Sequence, residues 1–176
     1  MSIDKKKASS NKKAENRSAS NPAASAELTS IFENVEFSDA YRISYLANAI
    51  VVPSYDDIKR DFGIIRAEYL LLLCLAHFPV LTAQDVSTMT RRPRNSISRA
   101  VHRMLSVGYL NRVPDPQDGR QARLSITPAG RALHDAIAKT LVTRQEEVLQ
   151  VLDASERRQL QRLLQKLALH TATLDR

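Results

Sequence analysis

The sequence is short of several things. Among 176 residues it has one cysteine, four glycines and no tryptophan. A single cysteine excludes an intramolecular disulfide framework and a four-cysteine zinc site. So few glycines argue against a glycine-rich all-β chain. Aromatics are 5% of the chain, which disfavours the stacking of unpaired bases on aromatic platforms. Long apolar runs are missing too. The longest, Tyr69 to Ala76, falls far short of the ~20 residues that span a bilayer. The opening MSIDKKKASSNKKAENRSAS has no apolar stretch of the kind a secretory signal carries, so a soluble cytoplasmic protein, with no membrane partner, is expected. Phosphate loops, paired-carboxylate sites and nucleophile elbows are absent from the pattern. A non-enzyme without cofactor or metal is the expectation.

What is present is an ordinary apolar fraction, 43%, and a net charge of +7 that is unevenly placed. The length suits one domain or at most two. Residues 1–20 hold six bases and two acids, and residues 91–123 hold eight arginines and two acids, whereas residues 21–90 are net acidic. Positive charge confined to a tail and one window points to a localised polyanion site more than to general solubility. The tail has almost no large apolar side chains to offset the entropy of ordering, so residues 1–30 read as a disordered basic tail.

From residue 38 onward helical patterning dominates. Ser38 can cap a helix that Pro53 should break, with a second short helix from Ser54 to about Asp61 and Gly63 ending it. Arg66 to His77 is apolar nearly all round and reads as a buried helix that Pro79 stops. Thr82 to Thr90 is a short helix in which Thr82 and Asp85 form a near-capping-box. The helix Arg94 to Val107 carries the most information, with Asn95 or Ser96 as the expected N-cap. At 100° per residue, Ile97, Ala100, Val101 and Met104 share one side. Asn95, Ser98, Arg99, His102 and Ser106 share the other, flanked by Ser96 and Arg103. Tyr109–Val113 and Ala122–Ile126 then form a hairpin whose turn, PDPQDGRQ, carries Arg120. Thr127 caps the next helix, with Pro128 at its first position. Asp153 and Glu156 open a last helix with leucines at i, i+3, i+4, i+7 spacing. The order is mainly α with a small β-wing: a helix-turn-helix, a wing, and bracketing helices.

These residues resemble the MarR family of winged helix-turn-helix regulators. The resemblance rests on SISRAVHRMLSVGYLNRV (96–113) and DPQDGRQARLSITPAG (115–130), in which Ser96, Ser98, Arg99, Met104 and Gly108, then Asp118, Arg120, Ile126-Thr127 and Gly130, hold the family's pattern; Met104 stands where Leu is usual. The resemblance implies a domain over residues 31–174. Its DNA-binding core would lie at about 64–128, flanked by dimerisation helices at about 38–61 and 128–174. It also implies a homodimer, an Asp118 ion pair that supports the wing, and repressors that answer to small aromatic or anionic effectors. Tyr41, Arg42 and Tyr45 would supply aromatic walls and a cation for such an effector.

The case for double-stranded DNA also stands on the residues alone. An α-helix fits the major groove, and Arg reads guanine bidentately. Asn95, Ser98, Arg99, His102 and Arg103 are expected at base edges or phosphates, with Ser96 beside them. Arg92 and Arg94 suit the backbone, and Arg112 and Arg123 on the strands suit phosphate. Arg120 is expected in the minor groove. Two other readings are a general DNA-coating or protein-interaction module and a thiol sensor using Cys74. His134 and His170 read as surface or interface residues.

Overall fold

The computed structural model describes residues 22–115 and 122–174. The chain divides into two compact units, one up to Asn48 and one from Ala49. In the first unit a helix, α1, covers Pro22–Asn34. Residues 22–30 are therefore helical, not part of a disordered tail; residues 1–21 lie outside the described residues. The signal for α1 was the spacing of Leu28, Ile31 and Phe32, an i, i+3, i+4 pattern diluted by small residues.

Helix α2 runs without interruption from Ser38 to Phe62 with Pro53 inside it, so the expected break does not occur. Proline removes one N–H donor and crowds the preceding turn. Next to it, the Ser54 hydroxyl donates to the Ile50 carbonyl at 2.6 Å, and Ser54 itself is buried. Burial of this turn, with Ile58 one turn on, holds the helix through the proline.

In the second unit, α3 (Arg66–His77) is the central element. It packs on α4 (Ala83–Thr90), α5 (Arg94–Ser106), α6 (Pro128–Leu149) and the hairpin. Its near-continuous apolar surface explains that position: Leu71, Leu72 and Leu75 are fully buried beside Val86, Ile97, Met104, Leu124 and Ile137. Strands β1 (Leu110–Pro114) and β2 (Ala122–Ile126) pair antiparallel, with Leu110 opposite Ile126 and Pro114 opposite Ala122. Leu81 adds a one-residue bridge to Leu124, so the loop before α4 is stitched to the hairpin.

Caps set the helix boundaries. Thr82 and Asp85 form a reciprocal capping box at α4. Thr127 caps α6 through the Gly130 N–H at 3.0 Å, with Pro128 in the first turn. Asp153 and Glu156 do the same for α7 (Ala154–Leu174). Gly130 has a steric reason to be glycine, since a Cβ there would sit 2.2 Å from the Tyr109 carbonyl oxygen.

No residue of α7 is buried, and Leu163, Leu164, Leu167, Leu169 and Leu174 lie exposed. Among the described residues no helix is long and apolar enough to cross a membrane.

Candidate nucleic-acid interface

Helix α5 divides as its periodicity requires. Ile97, Ala100, Val101 and Met104 face the core, while Asn95, Ser98, Arg99 and His102 are exposed on the opposite side. Ser96 is half-buried at the flank. The cap differs from expectation: Pro93 is the N-cap, no side chain caps the helix, and Asn95 and Ser96 lie inside its first turn. The preceding turn accounts for this. The Ser87 hydroxyl donates to the Arg92 carbonyl at 2.7 Å, the Arg92 N–H donates to the Ser87 carbonyl at 3.2 Å, and Arg91 adopts a left-handed conformation with φ 51°. Those bonds fix where the chain turns, so the cap falls two or three residues earlier than expected. An uncapped N-terminus leaves N–H groups and the positive end of the helix dipole for an external anion.

The start of α4, the outer face of α5 and the hairpin enclose a groove of about 510 Å³. Gln84, Arg94, Ser98, His102 and Arg112 line it. Two guanidiniums, two neutral donors and an imidazole thus share one concave surface on the solvent side of α5.

Two arginines assigned to DNA from the sequence also make ion pairs within the subunit. Arg103 Nη1 pairs with Glu68 Oε2 at 2.5 Å, and its Nη2 donates to the Gly63 carbonyl at 3.1 Å. Arg123 Nε donates to Asp115 Oδ2 at 2.8 Å. That pair ties β2 to the end of β1, beside the turn of the hairpin. Asp118 and Arg120 lie outside the described residues.

Tyr41, Arg42 and Tyr45 gather around Phe32, a residue the sequence reading had not singled out. The Phe32 ring lies 5.9 Å from each tyrosine ring, and the Arg42 guanidinium stacks 5.4 Å above it. Arg42 also donates to the Phe32 carbonyl at 2.9 Å and pairs with Asp39 at 2.9 Å. Its cation closes the C-terminal end of α1, so an effector carboxylate would have to displace those partners.

Cys74 is buried, and burial pushes its thiol pKa up, the opposite of what a reactive thiolate requires. His134 is not a surface residue: it is only 7% exposed, stacks on Tyr69 at 5.7 Å, and has a buried Nδ1 without a partner among the described residues. Desolvation holds its pKa below the ordinary histidine value, with Asp135 opposing. The same burial pushes the Tyr69 phenol up to about 12, with Tyr55 adding to the rise.

Residues 62–121, which include all of α5 and its groove-lining side chains, match the MarR family. Over those residues the chain is similar to the MarR family. The proteins it resembles are described as transcriptional regulators. The Bacillus subtilis (strain 168) protein YxaD, an uncharacterized HTH-type transcriptional regulator, is 27% identical over 109 residues, covering 62% of this chain and 76% of that protein. A MarR transcriptional regulator from Methanosarcina mazei Go1 superposes with a TM-score of 0.70 at 21% identity, over 77% of this chain and 96% of that one. Bordetella bronchiseptica BpsR, whose DNA binding is regulated by 6-hydroxynicotinic acid, superposes with a TM-score of 0.60 at 20% identity, over 72% and 98%. The MarR-type winged helix therefore extends beyond the matched residues, into the helices on either side.

Proposed function

We propose that this MarR-family protein is a sequence-specific repressor that binds a pseudo-palindromic operator as a homodimer. One observation carries the reading: the side of α5 opposite the core is exposed, donor-rich and cationic, and it borders a groove shared with the hairpin. Arg99, with Asn95, Ser98 and His102, reads base edges in the major groove, while Arg94 and Arg112 hold phosphate. Arg120, at the turn of the hairpin, enters the minor groove, with Asp118 supporting the turn. The exposed leucines of α7 pack on a second copy. The two α5 helices then meet half-sites about one helical turn apart. Such a protein works in the cytoplasm on the nucleoid.

A titration of an operator, selected from genomic fragments, against an unrelated duplex at two salt concentrations tests this. A specific regulator should prefer its operator by about 10³-fold or more. Arg99→Ala should cost about 1–3 kcal/mol at the operator. It should cost little on the unrelated duplex. Arg120→Ala should weaken operator binding without unfolding the protein. Equal affinity for both duplexes, with only a salt-dependent component, would mark a DNA-coating protein instead. Regulation by a small aromatic or anionic effector belongs to the same proposal, supported by the likeness to BpsR. Adding 6-hydroxynicotinic acid or a related aromatic acid should weaken the operator complex; unchanged affinity across a set of such acids removes this part.

A further inference from the structure

We infer that Arg103 is a positioning residue that sets the angle of α5 and does not touch the duplex. The inference rests on the DNA-reading role given to α5 above. The Arg103 guanidinium joins three elements. Its Nη2 bonds to the carbonyl of Gly63, the residue with φ +66° that follows α2. Its Nη1 bonds to Glu68 in the first turn of α3. Its own backbone belongs to α5. Glu68 is only 2% exposed, and its Oε2 also accepts the Ile65 N–H at 2.9 Å, which opens α3.

The energetic asymmetry decides the role. A carboxylate this far from water needs its cation: the Arg103 side chain is 48% exposed, but removing it strands the buried Glu68 charge. Turning fully away toward a phosphate would cost Arg103 its bonds to Glu68 and to the Gly63 carbonyl together. Arg99, one turn earlier on the exposed face, makes no ion pair among the described residues and has no such obligation. The two arginines of α5 therefore divide the work: Arg99 reads, and Arg103 fixes the helix that carries it. A shift in the last turn of α2 reaches the reading helix through the same guanidinium.

The test uses the full chain with Glu68→Gln, Arg103→Met and the double variant. Two measurements are made: operator affinity as a function of salt, and hydrogen exchange of the α5 amides without DNA. A positioning link requires each single variant, and the double, to lose operator affinity by a similar factor of about tenfold. The slope of log affinity against log salt should stay unchanged, because no phosphate contact is lost. Exchange in α5 should rise to the same extent in all three. Thermal melts identify any variant that fails to fold, and Arg103→Lys, which keeps the charge but cannot bridge both acceptors, then replaces Arg103→Met. A slope reduced by about 0.9 in Arg103→Met, with Glu68→Gln binding normally, would show a direct phosphate contact and overturn the inference. Unchanged exchange in α5 would overturn it as well. If the wild-type chain shows no operator preference, the proposed function fails, and the exchange data still decide whether the link holds α5.

Discussion

Replacing Leu163 and Leu167 together by Glu is expected to break the proposed homodimer into monomers. It should also lower affinity for the proposed operator by about a hundredfold to ten-thousandfold. The two leucines are one turn apart on α7 and are 43% and 49% exposed within the subunit. A 21-residue helix with no buried residue covers these side chains only in part with its own chain, and Leu160, Leu164 and Leu174 extend the same stripe. Burial against a second copy is the outlet that the hydrophobic effect favours. Four carboxylates brought to that interface by the two subunits would be desolvated and would repel one another. Within the monomer the same substitutions sit on the surface, where effects are usually within about 0.5 kcal/mol, so the helical circular dichroism should persist. The affinity loss follows because two linked half-site contacts gain far more than either alone. Analytical ultracentrifugation and operator titration of the variant check both halves. A variant that still sediments as a dimer and binds normally would remove α7 from the interface.

Gly130→Ala is expected to destabilise the fold by about 3 kcal/mol. That corresponds to a melting temperature lower by roughly 10 °C for a chain of this size. The added Cβ would lie 2.2 Å from the Tyr109 carbonyl oxygen and 3.0 Å from Ile126 Cγ1. The carbonyl cannot simply retreat, because it accepts the Thr127 N–H at 3.1 Å, and the Thr127 hydroxyl in turn donates to Gly108 at 2.9 Å. Alanine's better helix propensity, about 1 kcal/mol, offsets only part of the clash. Because Gly130 seats the start of α6 on the residues between α5 and β1, the variant should also loosen the wing. Calorimetry checks it, and a melting temperature equal to wild type would show that this junction yields more easily than its bonds suggest.

Much of the reading head was legible before any coordinates. The 100° periodicity of residues 94–107 separates Ile97, Ala100, Val101 and Met104 from Asn95, Ser98, Arg99 and His102, and the structure keeps that division. Thr82 with Asp85, Thr127 with Pro128, and Asp153 with Glu156 mark helix starts because their bonds are local and need no tertiary context. What was not legible depended on distant partners. The pairing of Arg103 with Glu68 spans 35 residues, and on the helical wheel Arg103 sits at the edge of the exposed face, where reader and clamp look alike. Arg123 faced the same ambiguity until Asp115, two residues beyond its cross-strand partner Val113, paired with it. Local rules break a helix at Pro53, but burial of Ser54 and Ile58 overrides them. Helix α1 escaped notice because alanine and serine dilute its apolar stripe, and with it went Phe32, the ring that organises Tyr41, Arg42 and Tyr45. His134 looked like a solitary polar residue because the ring it stacks on, Tyr69, lies in another helix.

Guanine N7 methylation interference on the selected operator bears most directly on the claim that the outer face of α5 lies in the major groove. N7 is presented in that groove, where an arginine would meet it. Wild-type protein should reject fragments methylated at two symmetry-related guanine positions, separated by about one helical turn. Arg99→Ala should bind more weakly and become indifferent to methylation at one guanine of each half-site. Binding that tolerates methylation at every guanine, in wild type and variant alike, would contradict the placement of α5.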